Sequence, residues 1–513
     1  MHGSSAEEVA PKTAVILIHG MGEQRPMGSL YDFVEAAWSK DSTMVEPHNG
    51  QVYCKLSALN SILDLRRVTT RNWSGENPRR VDFFEYYWAH LMVGNTIRST
   101  LSWITGLFIR RPSSVPPGLK PVWLAGSVLL VLAAGLLMLA AIPAAFAERL
   151  LGRDLVALLG LVAAMAGAAA AGWLAPVAGD AARYFSPLPD NVTARENIIR
   201  GGVELLERLT RSGKYDRIIV VGHSLGSAIG LDIINMAFGT ISPDRWSEAF
   251  GASAEARGAL ADLESSAARA RQTPADRKDR AVSEAALADP ERPGARAEET
   301  AAARNNRKTR EAFDPDLYRT QQRRLADALS SGWAEGRAVW LVSDFVTLGS
   351  PLSKAHVLIA RDEQDFGKRK ERRQVPTCPP MLEQKRPPRF SFRTGGGIHV
   401  PHHGAVFAPT VWTNIYFPSF LLVFGDIVSG AVAPLFGPGV RDVRMPSAGP
   451  GFRHLHYWRL ESDHTPVWIR ALRHALNLRK RPDAGLWRDG LPVVLDEPGP
   501  AAGQARAENA EEG

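Results

Sequence analysis

The stretch Tyr215 to Gly230, YDRIIVVGHSLGSAIG, constrains the fold of this chain more than any other. Ile218 to Val221 are four consecutive β-formers and predict a short buried strand. They run without a spacer into Gly222-His223-Ser224-Leu225-Gly226. Small and apolar residues follow, Ala228, Ile229 and Leu231, which can start a helix. A chain that turns directly from strand to helix leaves little room on either side of the corner. Side chains at 222 and 226 would collide with the neighbouring strand and helix, and glycine removes the obstruction. The corner residue Ser224 then sits at a strained backbone position. Beside it the helix N-terminus offers free N–H groups to any negative charge that develops. A tight turn holding an inert serine would share the glycines. The strand before and the helix after are the context a displayed nucleophile requires.

This G-x-S-x-G corner resembles the nucleophile elbow of serine hydrolases. Ala14 to Ile18 is a second β run, ending in His19-Gly20-Met21-Gly22, and here the chain resembles the α/β-hydrolase superfamily. The wording ILIHGMGEQRP is similar to that of bacterial membrane-anchored esterase/lipase-like members. The resemblance implies an α/β-hydrolase fold, a mostly parallel sheet flanked by helices. It also implies an oxyanion hole made by the backbone amides of Met21 and Leu225. The acid and the histidine of the triad should follow the serine in that order. In such relatives the acid lies just beyond a W-x-N strand. Val411 to Phe417 (VWTNIYF) fits that strand, and Asp426 follows in VFGDIVSG. A carboxylate in so apolar a run also needs a partner, because burying it alone is costly; helix N-capping is the other reading. His454 to Trp458 (HLHYW) resembles the family's H-x-x-Y-W, ahead of a last helix over Pro466–Leu476. His454 is therefore the expected base, with His456 and His464 left as alternatives. The resemblance covers roughly Thr13–Ala89 and Asn191–Leu476, minus insertions.

Composition changes abruptly in between. No charged residue occurs from 121 to 147 or from 155 to 179. Each run, rich in Leu, Val, Ala and Gly, lacks a polar face, and about 25 residues at ~1.5 Å rise span a hydrocarbon core. With the charged turn Glu148–Asp154 between them they predict a transmembrane helical hairpin within a membrane region over 90–180. Basic residues outside it (Arg98, Arg110, Arg111, Lys120, Arg183, Arg195 and Arg200) favour cytoplasmic flanks. Ala89–Ile109, interrupted by Arg98, reads as interfacial. The expected organisation is an N-terminal hydrolase part (13–89), the membrane region, an elbow part (191–246) and a C-terminal part (338–480). A charged Ala/Arg/Glu-rich insertion, expected to be exposed, partly helical or disordered and outside the core, occupies 247–313, and a polar tail expected to be disordered occupies 482–513. Val52–Leu59, Arg80–Tyr87 and the run from Ala338 read as strands, Asn72–Arg80 as a loop, and the basic, proline-rich Arg361–Arg389 as a loop or excursion.

The net charge of +7 comes from dispersed basic residues mixed with acids, without a basic stripe or nucleic-acid reader motif. Nucleic acid is therefore not expected as a partner. Cys54 and Cys378 give neither a disulfide framework nor a metal spacing. The N-terminus lacks the pattern of a signal peptide. His399, His402 and His403 lack carboxylate or cysteine partners nearby, so no metal and no cofactor is assigned. Together these features lead us to expect a multi-pass protein of a bacterial inner membrane, its hydrolase domain cytoplasmic. It would cleave acyl or lipid esters, with the bilayer and the acyl-ester substrate as its partners. The other reading is a catalytically silent module of the same fold that binds partners at the membrane. Protein partners, oligomeric state and acyl chain have no signature in the residues.

Overall fold

Strand β1 (Lys12–Ile18) shows how the molecule is built. Its side chains alternate, Ala14, Ile16 and Ile18 facing one apolar cluster and Val15 and Leu17 the other. A strand buried on both faces needs helices on both sides, hence its nearly continuous apolar sequence. The computed structural model describes residues 11–21, 25–41, 52–56, 66–70, 80–92, 180–181, 183–185, 189–270, 313–383, 386–419, 425–446, 451–461, 464–481, 487–488 and 491–492, with scattered positions between 120 and 161.

After β1 come helix α1 (Gly28–Val34), a π-helical turn (Glu35–Ser39), and strands β2 (Val52–Leu56), β3 (Arg66–Thr70) and β4 (Arg80–Tyr86). Helix α2 (Pro189–Arg211) leads to β5 (Tyr215–His223) and α3 (Leu225–Gly239). Helices α4 (Pro243–Ala252), α5 (Ala254–Ala270) and α6 (Pro315–Leu329) precede β6 (Val342–Leu348) and α7 (Glu363–Glu371). Strands β7 (Ser391–Arg393) and β8 (His399–Pro401) form a separate antiparallel pair. Strands β9 (Val411–Tyr416) and β10 (Arg441–Arg444) and helix α8 (Val467–Leu476) complete the domain. The main sheet has eight strands in the order β10-β9-β6-β5-β1-β4-β3-β2. From β10 to β4 every pairing is parallel, and β3 and β2 add antiparallel pairs at one edge. The protein is thus α/β, with a mostly parallel mixed sheet. Helices α2 to α6 cover one face, α1 and α8 the other.

Parallel pairing puts the C-terminal ends of β1, β4, β5, β6 and β9 along one edge of the sheet. At the opposite edge the sheet is pinned by charge. Asp344 in β6 is 2.5 Å from Arg217 of β5 and 2.5 Å from Arg323 of α6, with Ser343 Oγ donating to it as well. These two guanidiniums hold its carboxyl well below the usual range despite burial.

Three expectations are corrected. Residues 247–270 do not lie outside the core: the part of α4 within them buries Phe250, and α5 buries Ala256, Ala259, Leu260, Leu263 and Ala267. The apolar stripe of α5 has helical spacing but is carried mainly by alanine, so composition hides it; 271–312 lie outside the described residues. The stretch 361–389 is not simply a loop. It contains α7, whose N-cap Asp362 accepts from Asp365 N–H, and it buries Phe366, Val375 and Leu382. Strands β3 and β10 were not anticipated. The loop expected over 72–80 lies outside the described residues except at Arg80. So does the tail except at Trp487–Arg488 and Leu491–Pro492, which pair antiparallel where disorder is expected.

The two uncharged runs also lie almost wholly outside the described residues. Among the described residues no single helix is long and apolar enough to cross a membrane. The one bent pair that passes such a test jointly, α3 with α4, carries much of the core.

The ion cluster gives a test of stability. Asp344→Asn leaves two guanidiniums facing a neutral group in a buried site, which typically costs about 3–5 kcal/mol. For a domain of this size that is a fall of roughly 6–20 °C in apparent Tm. Thermal denaturation of the variant beside the parent measures it.

Candidate active site

Ser224 occupies the corner between β5 and α3 with φ 52° and ψ −126°, a conformation L-residues rarely adopt. The strain is enforced by close packing on both sides. A β-carbon on Gly226 would lie 2.1 Å from the Ile18 carbonyl oxygen, and one on Gly222 2.6 Å from that of Gly226. Only hydrogen fits at either place, as the G-x-S-x-G spacing requires. The corner is also tied to the next strand, Ser224 N–H donating to Leu348 O at 2.9 Å.

The structure brings His454 to this serine. Its Nε2 lies 2.8 Å from Ser224 Oγ, and its Nδ1 lies 2.9 Å from Asp426 Oδ2. With Nδ1–H donated to the carboxylate, Nε2 is left as the acceptor for the serine hydroxyl. The alternatives sit elsewhere. His456 Nε2 faces Arg459, and His464 is exposed, 3.7 Å from Glu461.

Asp426 is fully buried beyond the end of β9. Burial alone would raise its carboxyl. The hydrogen bond and charge of His454, with donors from Tyr457 Oη and Val428 N–H, outweigh that and hold it below the usual range. Tyr457 Oη donates to Oδ2 at 2.7 Å and Val428 N–H to Oδ1 at 2.9 Å. Ser429 N–H also reaches Oδ1, so the residue caps its own turn while it orients the histidine. Asn414 of the W-x-N strand steadies this turn. It accepts from Thr347 Oγ1 and donates to Gly430 O and Asp442. Lys354 Nζ donates to the carbonyls of Val428 and Ser429. Burial pushes its ammonium down to about 8, against the pull of Asp426.

Two further histidines line the corner. His223 Nε2 lies 2.9 Å from His454 O, and its ring stands edge-on to Trp458. Burial, then repulsion from His454, pushes it down to about 3. His19 stacks on Trp88, whose indole N–H donates to His19 O, and burial pushes it down to about 4. Both stay neutral at ordinary pH. Sequence reasoning missed Tyr457, Lys354 and His223 as members of the site. The tyrosine could have been found from the H-x-x-Y-W wording itself; the lysine had no signal.

The Met21 and Leu225 amides are both at this corner. Leu225 is the first residue of α3, where N–H groups have no partner within the helix. Met21 follows Gly20, on which a β-carbon would lie 3.0 Å from Ser224 Cβ. Glu85 of β4 accepts from Met27 N–H, just ahead of α1, at 2.5 Å. Of the three clustered histidines, His402 Nε2 is bonded to Met381 O and His399 Nδ1 lies near Ser391. Among the described residues no group of three or more metal-ligating side chains is placed to hold an ion.

Comparison with protein-family models, with curated proteins and with solved structures gave no match for this chain. The reading of the site therefore rests on its geometry.

Glu85 supplies a prediction with a defined sign. Burial holds its carboxyl up at about 7, well above the ordinary 4.5 of a glutamate. The folded state then binds more protons than the unfolded one between those two values, so stability falls as pH rises through that window. Glu85→Gln keeps an acceptor for Met27 N–H and removes the titration. Between about pH 5 and pH 7.5 the parent should lose stability relative to Glu85→Gln, so that the parent's Tm minus the variant's falls steadily as pH rises. Equal slopes for the two would show that Glu85 is not the group responsible.

Proposed function

We propose that this chain is a membrane-anchored serine hydrolase of the α/β-hydrolase type, cleaving carboxylic acyl esters through an acyl-enzyme. The observation that carries the proposal is the continuous chain from Ser224 Oγ through His454 to the buried Asp426, ending at a strained strand-to-helix corner. Each link has a chemical role. His454 Nε2 takes the serine proton as Oγ attacks the acyl carbon, and the carbonyl electrons move onto its oxygen. The amides of Met21 and Leu225 receive that oxyanion. The alcohol leaves with the proton from His454, and water activated by the same nitrogen releases the acid. Asp426 stays ionised, fixes the tautomer and offsets the imidazolium charge.

Anchoring is supported by the two uncharged runs. It is also supported by Leu124, Val128, Val131, Leu158 and Leu161, which are helical and between 50% and 70% exposed. Apolar side chains so open to the surroundings favour hydrocarbon over water. We place the hydrolase domain on the cytoplasmic side of a bacterial inner membrane, as the flanking basic residues suggest.

A fluorophosphonate probe tests the chemistry. The parent should be labelled and Ser224→Ala should not. The variant should lose esterase activity by about 10⁶-fold with its thermal unfolding little changed. Labelling of Ser224→Ala, or no labelling of the parent, would favour another nucleophile or a silent binding module. Tyr457→Phe should stay folded and lose about ten- to a hundredfold in kcat, because it removes one donor to a charged acceptor. On p-nitrophenyl esters kcat/KM should rise with acyl length, each buried methylene contributing up to ~0.8 kcal/mol; a maximum at acetyl would limit the substrates to small esters. The anchor has its own check, retention in membranes through an alkaline carbonate wash.

A further inference from the structure

We infer that the sheet edge carrying Ser224 and His454 faces the bilayer, so that Ile427, Phe452 and Leu455 rest on the lipid surface and the ester is taken from the membrane itself. This rests on the anchored hydrolase proposed above and names the source of its substrate.

The first observation is where the apolar segment joins the domain. β4 ends at Tyr86, level with Ile18 of β1, at the edge where Ser224 lies. The chain continues through Trp88, bonded to His19 O, to Met92. There the Arg183 guanidinium donates to Met92 O, and its Nε lies 3.4 Å from Asn191 Oδ1 in the first turn of α2. Residues 93–179 therefore leave and return at one closed neck, beside the His19 turn and on the edge of the serine. Two spans rooted at such a neck bring that edge to the membrane.

The second observation is the character of the two edges. Around the serine, three residues close to the polar chain are large, apolar and exposed. Ile427 follows Asp426 and is 37% exposed; Phe452 and Leu455 flank His454 and are 41% and 68% exposed. The Phe452 ring is 5.6 Å from that of His454. The opposite edge holds a cleft of about 300 Å³ lined by Asp216, Arg217, Arg323, Asp327 and Lys480. An apolar edge by the neck and a charged edge away from it suit lipid and water respectively.

The test labels the full chain in a Cys54→Ser background, Cys378 being buried. Leu455→Cys, Phe452→Cys and, as a control on the charged edge, Asp327→Cys each receive an environment-sensitive fluorophore. The proteins are placed in phosphatidylcholine vesicles with and without spin-labelled lipid. Labels at 455 and 452 should shift to the blue, and their emission should be roughly halved by the spin label, while the label at 327 does neither. Retention through the carbonate wash with 455 and 452 unquenched, or with 327 quenched instead, would overturn the orientation alone. Release by the wash would overturn the anchor, and the orientation with it. A fluorophosphonate reaction that fails while 455 and 452 are quenched would remove the hydrolase reading and leave a lipid-docked edge.

Discussion

The contact between the start of α3 and the end of β1 is the constraint on which the rest of the site depends. At Gly226 the helix backbone comes so near the Ile18 and His19 carbonyls that a single carbon would not fit. That approach fixes the direction of α3 as it leaves β5, and the direction forces Ser224 into positive φ. The strained conformation costs of order 1–3 kcal/mol, and such a residue persists only where its surroundings over-determine it. Here they do so through β1 on one side and β6 on the other, where Leu348 O accepts from Ser224 N–H. Strain at the corner is thus sustained by the burial of the parallel strands around it, whose two apolar faces supply the driving force.

The acid is secured differently. Asp426 projects from no regular element, and its position follows from hydrogen bonds. Tyr457, Val428 and Ser429 donate to it, Lys354 holds the carbonyls of its turn, and Asn414 ties that turn to β6 and β10. In a buried setting a carboxylate with several donors is held far more firmly than one facing water. The partners come from four separate parts of the chain, so the turn is cross-braced. The two neighbouring histidines contribute shape and no charge, since burial keeps both neutral. The site then contains one ionised carboxylate close to one titratable ring, as proton transfer between a hydroxyl and an imidazole needs.

How much of this could be read from the residues depended on whether the signal was local. The corner was legible because a strand, two glycines and a helix within sixteen residues are each constrained by backbone sterics. β1 and β5 were legible as apolar runs, β4 and β9 as short stretches rich in aromatic and β-branched residues. Strand β3 was not, since RRVTT is polar at most positions and gains its place by pairing with β4 and β2. Strand β10, RDVR, is in the same situation beside β9. Helix α5 escaped because alanine lines its buried face, and alanine contributes to apolar and helical averages without marking a stripe. His454 could be preferred over its neighbours only by resemblance; nothing local distinguishes it from His456, and three-dimensional placement does. Lys354 had no local signature, because the turn whose carbonyls it holds lies more than seventy residues along the chain.

The topology also limits how the uncharged runs can be arranged. β4 and β5 both pair with β1 in one sheet, on opposite sides of it. The residues before 93 and after 179 therefore belong to a single body and must lie on one side of any membrane. Among spanning arrangements only an even number of crossings satisfies that, and the sequence offers two runs of adequate length. The insertion falls within a connection between parallel strands, and connections of that kind run over the surface, where added chain perturbs a sheet least. Closing a loop also becomes only slowly more costly as it lengthens, about 0.6 kcal/mol for each doubling. The bond from Arg183 to the Met92 carbonyl closes that connection at its base. Held in this way, the segment can be large and apolar while the register of β4, β1 and β5, and with it the geometry around Ser224, stays that of an uninterrupted sheet.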